Sequence, residues 1–332
     1  MFRIIHGLIK YILGIIFSII CLGLSTLTYG YTILFVHLGN DLPTYLACAT
    51  HQARLFNPQA DIVVIADCQA IEQASFDEFL PDKIRFIRCQ DLWASDVHKA
   101  FVQKTSLDKG FWRKCTERFY YIEEFMRQCG IRDLFHLEYD NMLYVNLQEL
   151  LPVFHQYPNI AATFDNDNRC IPGFIYFAQD KAIKKLVTHI TEMCQSGLND
   201  MEVIASYRKR FGEEEIGTLP IIVPAYTKEQ ILRTPSGFST ASPEIYTAHF
   251  EDFNSIFDAA ALGQYLGGID PRNGKSVPGF INESCVFNPA LLQYEWILDE
   301  KGRRVPYMIY SGKEYRINNL HIHSKRLKDF ES

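Results

Sequence analysis

The sequence predicts an α/β fold in which a mostly parallel central sheet is flanked by helices, preceded by an apolar N-terminal segment. Three observations predict it. From Tyr31 onward short β-rich runs alternate with longer helical ones, the pattern of strands joined by crossover helices. The early strand-like runs end in polar residues, where an open α/β sheet gathers its ligands. Residues 11 to 40 contain no Asp, Glu, Lys or Arg.

Tyr31 to His37 (YTILFVH) reads as a first strand, Leu42 to Phe56 as a helix closed by Asn57-Pro58, and Asp61 to Ala66 (DIVVIA) as a second strand. Lys83 to Arg88 is a third. Phe111 to Cys129 carries Phe, Tyr, Ile and Met at helical spacing, and Gly130 stands where a C-cap belongs. Leu134 to Leu137 then runs straight into Glu138-Tyr139-Asp140-Asn141. Further on, Ile160 to Phe164, Gly173 to Ala178 and Ile221 to Val223 read as strands, Lys181 to Gln195 and Met201 to Phe211 as helices, and Ser255 to Tyr265 as a helix capped by Gly267. No repeat or low-complexity tract interrupts the series.

Tyr11 to about Thr28 is nearly continuous in Ile, Leu, Gly and Phe, and a spanning helix needs roughly 20 such residues. Arg3 and Lys10 precede the run and the next basic residue is Arg54, so the charge bias leaves the N-terminus cytoplasmic. The expected organisation is a membrane anchor over residues 1–29 and one catalytic domain over 30–332, single-pass, with the domain lumenal or extracytoplasmic. A cleaved signal peptide, with Gly23-Leu24-Ser25 as the cleavage site, and an interfacial hairpin are the competing readings.

A net charge of -6 and a pI near 5.9 supply no basic field, which excludes nucleic acid as a main partner. The nine cysteines form no C-x-x-C pair, so neither a zinc site nor a compact disulfide framework is indicated. Carboxylates at i and i+2 on a strand end, Glu138 and Asp140, face one cation if the chain turns there, and their hard oxygens suit Mg²⁺ or Mn²⁺. Such an ion neutralises the charge that builds on a leaving nucleoside diphosphate. An isolated acid-x-acid triplet is more often a solvated turn. In the tail, His321, His323 and Lys325 fall on one face if the strand continues, and one imidazole completes a metal shell; the plain alternative is a solvent-facing tail.

The stretches FVHLGNDLPTYL (35 to 46), HLEYDNMLY (136 to 144), IPGFIYF (171 to 177), NDM (199 to 201), FDAAALGQYLGGIDPRN (257 to 273) and NLHIHSK (319 to 325) carry a resemblance. Together they look like the GT-A glycosyltransferases, and especially a bacterial- and viral-type group whose strand ends in H-L-E-x-D in place of D-x-D. The resemblance covers roughly nine tenths of the chain, the scale of one large domain. It implies a GT-A type Rossmann-like sandwich and a hexosyltransferase-like enzyme. The donor is a nucleotide sugar, UDP-linked, the acceptor a glycan, lipid or protein hydroxyl, and the cofactor Mn²⁺ or Mg²⁺. The metal residues it implies are Glu138, Asp140 and one tail histidine, His321 or His323; the donor residues are Glu138, Asp140, Lys325 on the diphosphate, Arg118 against the nucleotide, and His37 and Gly39 at the base or ribose, with Asp67 a further candidate there. The departure is Glu138 in place of the first Asp, which puts direct metal ligation by that residue in doubt.

Inverting transfer requires a carboxylate to deprotonate the acceptor, and Asp200 and Asp258 are the candidate bases. Each also fits a helix cap, near Met201 and Ala259. Gln264, Gly267-Gly268 and Asp270 make a sugar-site candidate, and Gly173 marks either close packing or a substrate edge. Two other functions fit the pattern: a nucleotidyltransferase, although Leu38-Gly39-Asn40-Asp41 lacks the basic residue of its signature loop, and a membrane-anchored binding protein without catalysis. Asn282-Glu283-Ser284 is a glycosylation sequon.

Overall fold

The computed structural model describes residues 30–74, 76–108 and 110–332. The expected anchor lies outside them, and among the described residues no helix is long and apolar enough to cross a membrane.

Among the described residues the strands form three sheets. The main one joins β1 (Thr32–His37), β2 (Asp61–Ala66), β3 (Arg85–Arg88), β4 (Arg132–Leu137), β6 (Ile160–Asn166), β7 (Arg169–Gln179) and β8 (Ile216–Thr218) in the order β3-β2-β1-β4-β7-β6-β8. A two-stranded ribbon pairs β5 (Asn141–Leu143) with β13 (Asn319–His321), and a four-stranded sheet holds β9 (Ser255–Ile256), β10 (Gln293–Leu298), β11 (Arg304–Tyr310) and β12 (Lys313–Ile317). The first four strands of the main sheet run parallel, and β7 runs antiparallel to both β4 and β6. Consequently β6 ends at the same edge as β1, β2 and β4. That edge gathers His37, Asp67, Glu138 and Asp165.

Helices cover the sheet, so β1 and β6 are buried throughout and read as apolar runs rather than alternating ones. The Phe111–Cys129 helix buries Phe119, Ile122, Phe125 and Met126, a stripe at i, i+3, i+6 and i+7, and closes on Gly130 at φ 64°. Its polar face turns Glu117 and Glu124 onto His98 of the Asp96–Lys104 helix, at 3.2 and 2.8 Å.

Several elements differ from expectation. The helix after β1 spans Leu46–Phe56, not Leu42 onward, because Pro43 disfavours helix before it and its carbonyl accepts the Leu46 N–H in a turn at 3.0 Å. Ile221 to Val223 is not a strand: between Pro220 and Pro224 it bonds instead to the Tyr246 carbonyl, and the edge strand is β8. Ser255 to Tyr265 is not one helix; β9 is followed by a bend and a short helix, Leu262–Gly267, capped by Gly268 at φ 86°. Of the sequon, Asn282 is buried and its side-chain Oδ1 accepts the Ser284 N–H at 2.9 Å, while Glu283 is exposed.

Candidate active site

The acidic strand end becomes a site through a turn and a strand pairing. After β4 the Glu138 N–H bonds to the Gly173 carbonyl at 3.0 Å and the Asn141 N–H returns to the Glu138 carbonyl at 2.9 Å, which turns both carboxylates into one space. β13 then pairs antiparallel with β5, setting His321 opposite Asn141, and the Ile322 N–H reaches the Asp140 carbonyl at 2.8 Å. Residues some 180 positions apart in sequence are thereby locked side by side through backbone bonds.

His321 Nε2 lies 2.9 Å from Glu138 Oε2 and 3.1 Å from Asp140 Oδ1. His321 is held between two glycines, its ring against Gly173 and its backbone against Gly263. A Cβ on Gly173 would meet His321 Nδ1 at 2.6 Å, and one on Gly263 would meet the His321 carbonyl oxygen at 2.2 Å, closer than real Cβ contacts come. At Gly173, packing is therefore the reading the geometry favours. His323 packs edge-on against His321 with centroids 4.3 Å apart, and its Nδ1 lies 2.5 Å from the Gln264 amide. The strand ends at His321, so the one-face spacing expected of the tail does not extend to Lys325; a turn delivers it instead, and its ammonium bonds to Asp140 Oδ2.

Asp140, His321 and His323 each offer one ligand atom within 4.8 Å of the others. One carboxylate and two imidazoles fit a borderline ion such as Mn²⁺ better than Mg²⁺, which prefers all-oxygen shells. The buried His321 Nδ1 has no hydrogen-bond partner. Glu138 stands beside this trio and is gripped by Arg118.

Arg118, buried on the Phe111–Cys129 helix, bridges two acids: Nη1 bonds to Glu138 Oε1, and Nη2 to Asp200 Oδ2 at 2.9 Å. Asp200 is not the cap of its helix, Asp200–Phe211. Asn199 takes that role in a capping box with Glu202, which leaves the Asp200 side chain for Arg118. Burial pushes the Asp200 carboxyl up to about 6, with Arg118 opposing and the Glu138 charge adding. For Glu138, burial works against ionisation, but the Arg118 charge and the His321 bond outweigh it and hold the carboxyl well below its usual range. Asp140 is held low in the same sense, Lys325 and His321 outweighing burial. Burial disfavours charge on His321, yet the two carboxylates raise its imidazole to about 10; burial and the His321 charge push His323 down to about 3.

Asp258 is fully engaged by the backbone. Oδ1 accepts the N–H groups of Ala261 and Leu262 at 2.8 and 2.9 Å, and Oδ2 those of Gly263 and His321 at 2.8 and 2.9 Å. It caps the Leu262–Gly267 helix and ties it to β13. Asp270 accepts the backbone and guanidinium of Arg272 and lies near enough to Lys325 for the two charges to act on each other.

His37 ends β1 with both ring nitrogens buried and without a partner, edge-on to Tyr139 at 5.3 Å, and Tyr45 packs against Tyr139 at 5.9 Å. Burial lowers the His37 imidazole and raises the Asp67 carboxyl, while the Gly39 backbone bond pulls Asp67 back. These residues form a second group on the same sheet edge as the carboxylates. Asp165 and Arg169, 3.4 Å apart and next to Met201, were not singled out in the sequence; the signal was there, an acid at the end of β6. Burial raises the Asp165 carboxyl to about 7. A hollow of about 500 Å³ between the Asp180–Glu192 and Asp200–Phe211 helices, lined by Lys181, Lys184 and Phe211, contains none of the candidate site residues.

No protein-family model matches the chain, and no curated protein matches its sequence. Parts of solved structures superpose on the chain. Mouse xyloside xylosyltransferase 1 in its apo form superposes at TM-score 0.41 with 10% identity, over 66% of this chain and 93% of that one. The galactosyltransferase LgtC, solved with donor and acceptor sugar analogues, gives TM-score 0.40 and 13% identity, over 65% and 84%. A cytidylyltransferase from Leptospira borgpetersenii gives 0.37 and 13%, over 57% and 75%. At such scores the likeness carries no inference about what this chain does.

Proposed function

We propose that this chain is a glycosyltransferase that moves a sugar from a nucleotide-diphosphate donor, UDP-linked, to a hydroxyl on a glycan, lipid or protein. The observation that supports it is the junction of the strand-end acids with the tail: Asp140, His321 and His323 within 4.8 Å, with Lys325 and the Arg118–Glu138–Asp200 bridge around them. Asp140, His321 and His323 would hold a divalent ion, Mn²⁺ before Mg²⁺, which when bound supplies positive charge to the leaving diphosphate.

The chain's own residues do the remaining work. Lys325 brings a mobile ammonium to the diphosphate, while Arg118 fixes Glu138 and Asp200 in place at the sheet edge. Asp200, the buried far end of that bridge, borders the sugar. Asp258, with four backbone donors on its carboxylate, has no oxygen left to act as a base and serves as an anchor for His321. His37, with two unpartnered ring nitrogens beside Tyr139, receives the base or ribose, and Gly39 and Asp67 border it. The apolar residues 1–29 tether the domain to a membrane with the N-terminus cytoplasmic.

The deciding experiment measures nucleotide-sugar hydrolysis with and without Mn²⁺ for wild type and Asp140→Ala. Mn²⁺-dependent hydrolysis of a nucleotide sugar, lost in the variant, is the expected result. Pyrophosphate release from a nucleoside triphosphate would point to a nucleotidyltransferase, and no metal-dependent turnover of any nucleotide sugar to a binding protein.

A further inference from the structure

Both oxygens of the Asp140 carboxylate are taken. Oδ1 faces His321 Nε2 at 3.1 Å on the inner side, and Oδ2 holds the Lys325 ammonium on the outer side. The Lys325 side chain is 25% exposed against 6% for Asp140, so the ammonium covers the carboxylate from the solvent. It arrives there by a constrained route: the His323 N–H bonds back to the His321 carbonyl at 3.2 Å, the Lys325 N–H to the Ile322 carbonyl at 3.0 Å, and Lys325 itself adopts φ 62°, a conformation that a residue with a Cβ takes only when its surroundings impose it. Its Nζ also lies 5.8 Å above the Tyr45 ring, next to the cluster around His37 and Tyr139.

A divalent ion at Asp140, His321 and His323 needs the carboxylate lone pairs that Lys325 occupies. An ammonium on a four-carbon stem is a compact charge that can pivot to another acceptor without moving the backbone. A diphosphate offers such acceptors. We propose that Lys325 couples the ion to the nucleotide: it sits on Asp140 until a divalent ion takes that carboxylate, and the displaced ammonium then pairs with the donor's diphosphate. This rests on the metal-assisted reading of the site. By linkage, each ligand strengthens the other by the same factor, and each binds weakly alone. Lys325 thereby discourages the ion from binding without a donor, a function separate from holding phosphate.

The two functions give opposite signs in one variant. Binding of Mn²⁺ to the full chain, followed by the electron paramagnetic resonance signal of free Mn²⁺, is measured alone and with UDP or inorganic pyrophosphate for wild type, Lys325→Met and Lys325→Gln, with thermal melts to show that each variant is folded. Removal of the ammonium is expected to tighten Mn²⁺ alone by roughly tenfold and to abolish a UDP enhancement of similar size seen in wild type, within the usual range of coupling between sites. Unchanged or weaker binding of Mn²⁺ alone by a folded variant overturns the coupling while leaving the metal site standing. Failure of wild type to bind Mn²⁺ with or without UDP overturns the metal reading itself.

Discussion

The backbone N–H of His321 donates to Oδ2 of Asp258 at 2.9 Å, and the same oxygen accepts the Gly263 N–H at 2.8 Å. One buried carboxylate therefore fixes both the start of a helix and the strand that presents His321. Asp258→Ala leaves four buried donors without an acceptor, and bonds to a charged group contribute about 1.5 to 3 kcal/mol each. Urea unfolding is expected to register a loss of more than about 3 kcal/mol. A fully stable Asp258→Ala that lacks only turnover would instead mark this residue as a base.

Gly263 leaves no room for a side chain. An added Cβ lies 2.2 Å from the His321 carbonyl oxygen and 2.8 Å from its nitrogen, both backbone atoms that cannot rotate away. Gly263→Ala is expected to push β13 off the helix, with a cost of about 1 to 3 kcal/mol in stability and at least a tenfold weaker Mn²⁺ affinity. Calorimetric titration with Mn²⁺ tests it, and native affinity would mean that β13 tolerates the shift.

Gln264 sets the orientation of the His323 ring. The Gln264 amide nitrogen lies 2.5 Å from Nδ1 and donates to it, which makes Nδ1 the acceptor and keeps the proton of the neutral ring on Nε2. Gln264→Glu, an acceptor in place of the donor, is expected to move the proton to Nδ1, free the Nε2 lone pair and raise Mn²⁺ affinity about 10-fold, and Gln264→Leu to change it less, with little change in melting temperature for either. Equal affinity in all three proteins would remove Gln264 from the site.

Arg118 cannot be replaced by lysine. A single ammonium does not reach Glu138 and Asp200 together, and a buried acid stripped of its partner costs about 3 to 5 kcal/mol. Arg118→Lys is expected to lower stability at neutral pH and to regain part of it in mild acid, as Asp200, already raised to about 6, becomes neutral. Stability curves against pH for the two proteins supply the comparison.

His98, away from the site, should make stability depend on pH in the alkaline range. Burial opposes its charge, but the Glu117 and Glu124 carboxylates raise it to about 9. A group raised on folding stabilises in full below its unfolded value of about 6.5, and that contribution fades as pH rises through the folded value. A tenfold difference in proton affinity is worth about 1.4 kcal/mol, so up to roughly 3 kcal/mol is lost between about pH 6.5 and 9.5. The difference between wild type and His98→Gln in urea isolates this slope, and parallel curves would count against it.

What could be read from the chain alone was local. β2 and the Phe111–Cys129 helix stand where the residue pattern puts them, because apolar periodicity and a C-cap glycine act within a few residues. The acids at 138 and 140 and the histidines at 321 and 323 were visible as residue types. Their meeting was not, since it depends on β13 choosing β5 as its partner, and strand pairing is a long-range contest of packing and register that no local window contains. The sheet of β9 to β12 had a local signal, Tyr294, Trp296 and Leu298 alternating along the largely exposed β10, but nothing local to name its partners. The same limit made Ile221 to Val223 resemble a strand when the neighbouring prolines and Tyr246 had already claimed it. The division of labour among the acids was also tertiary: Asp200 and Asp258 looked alike as helix caps, until Asn199 took one cap and four backbone N–H groups took the whole of the other carboxylate. Chemistry resides in the residue types, but which carboxylate stays available is set by who else reaches it in the folded chain.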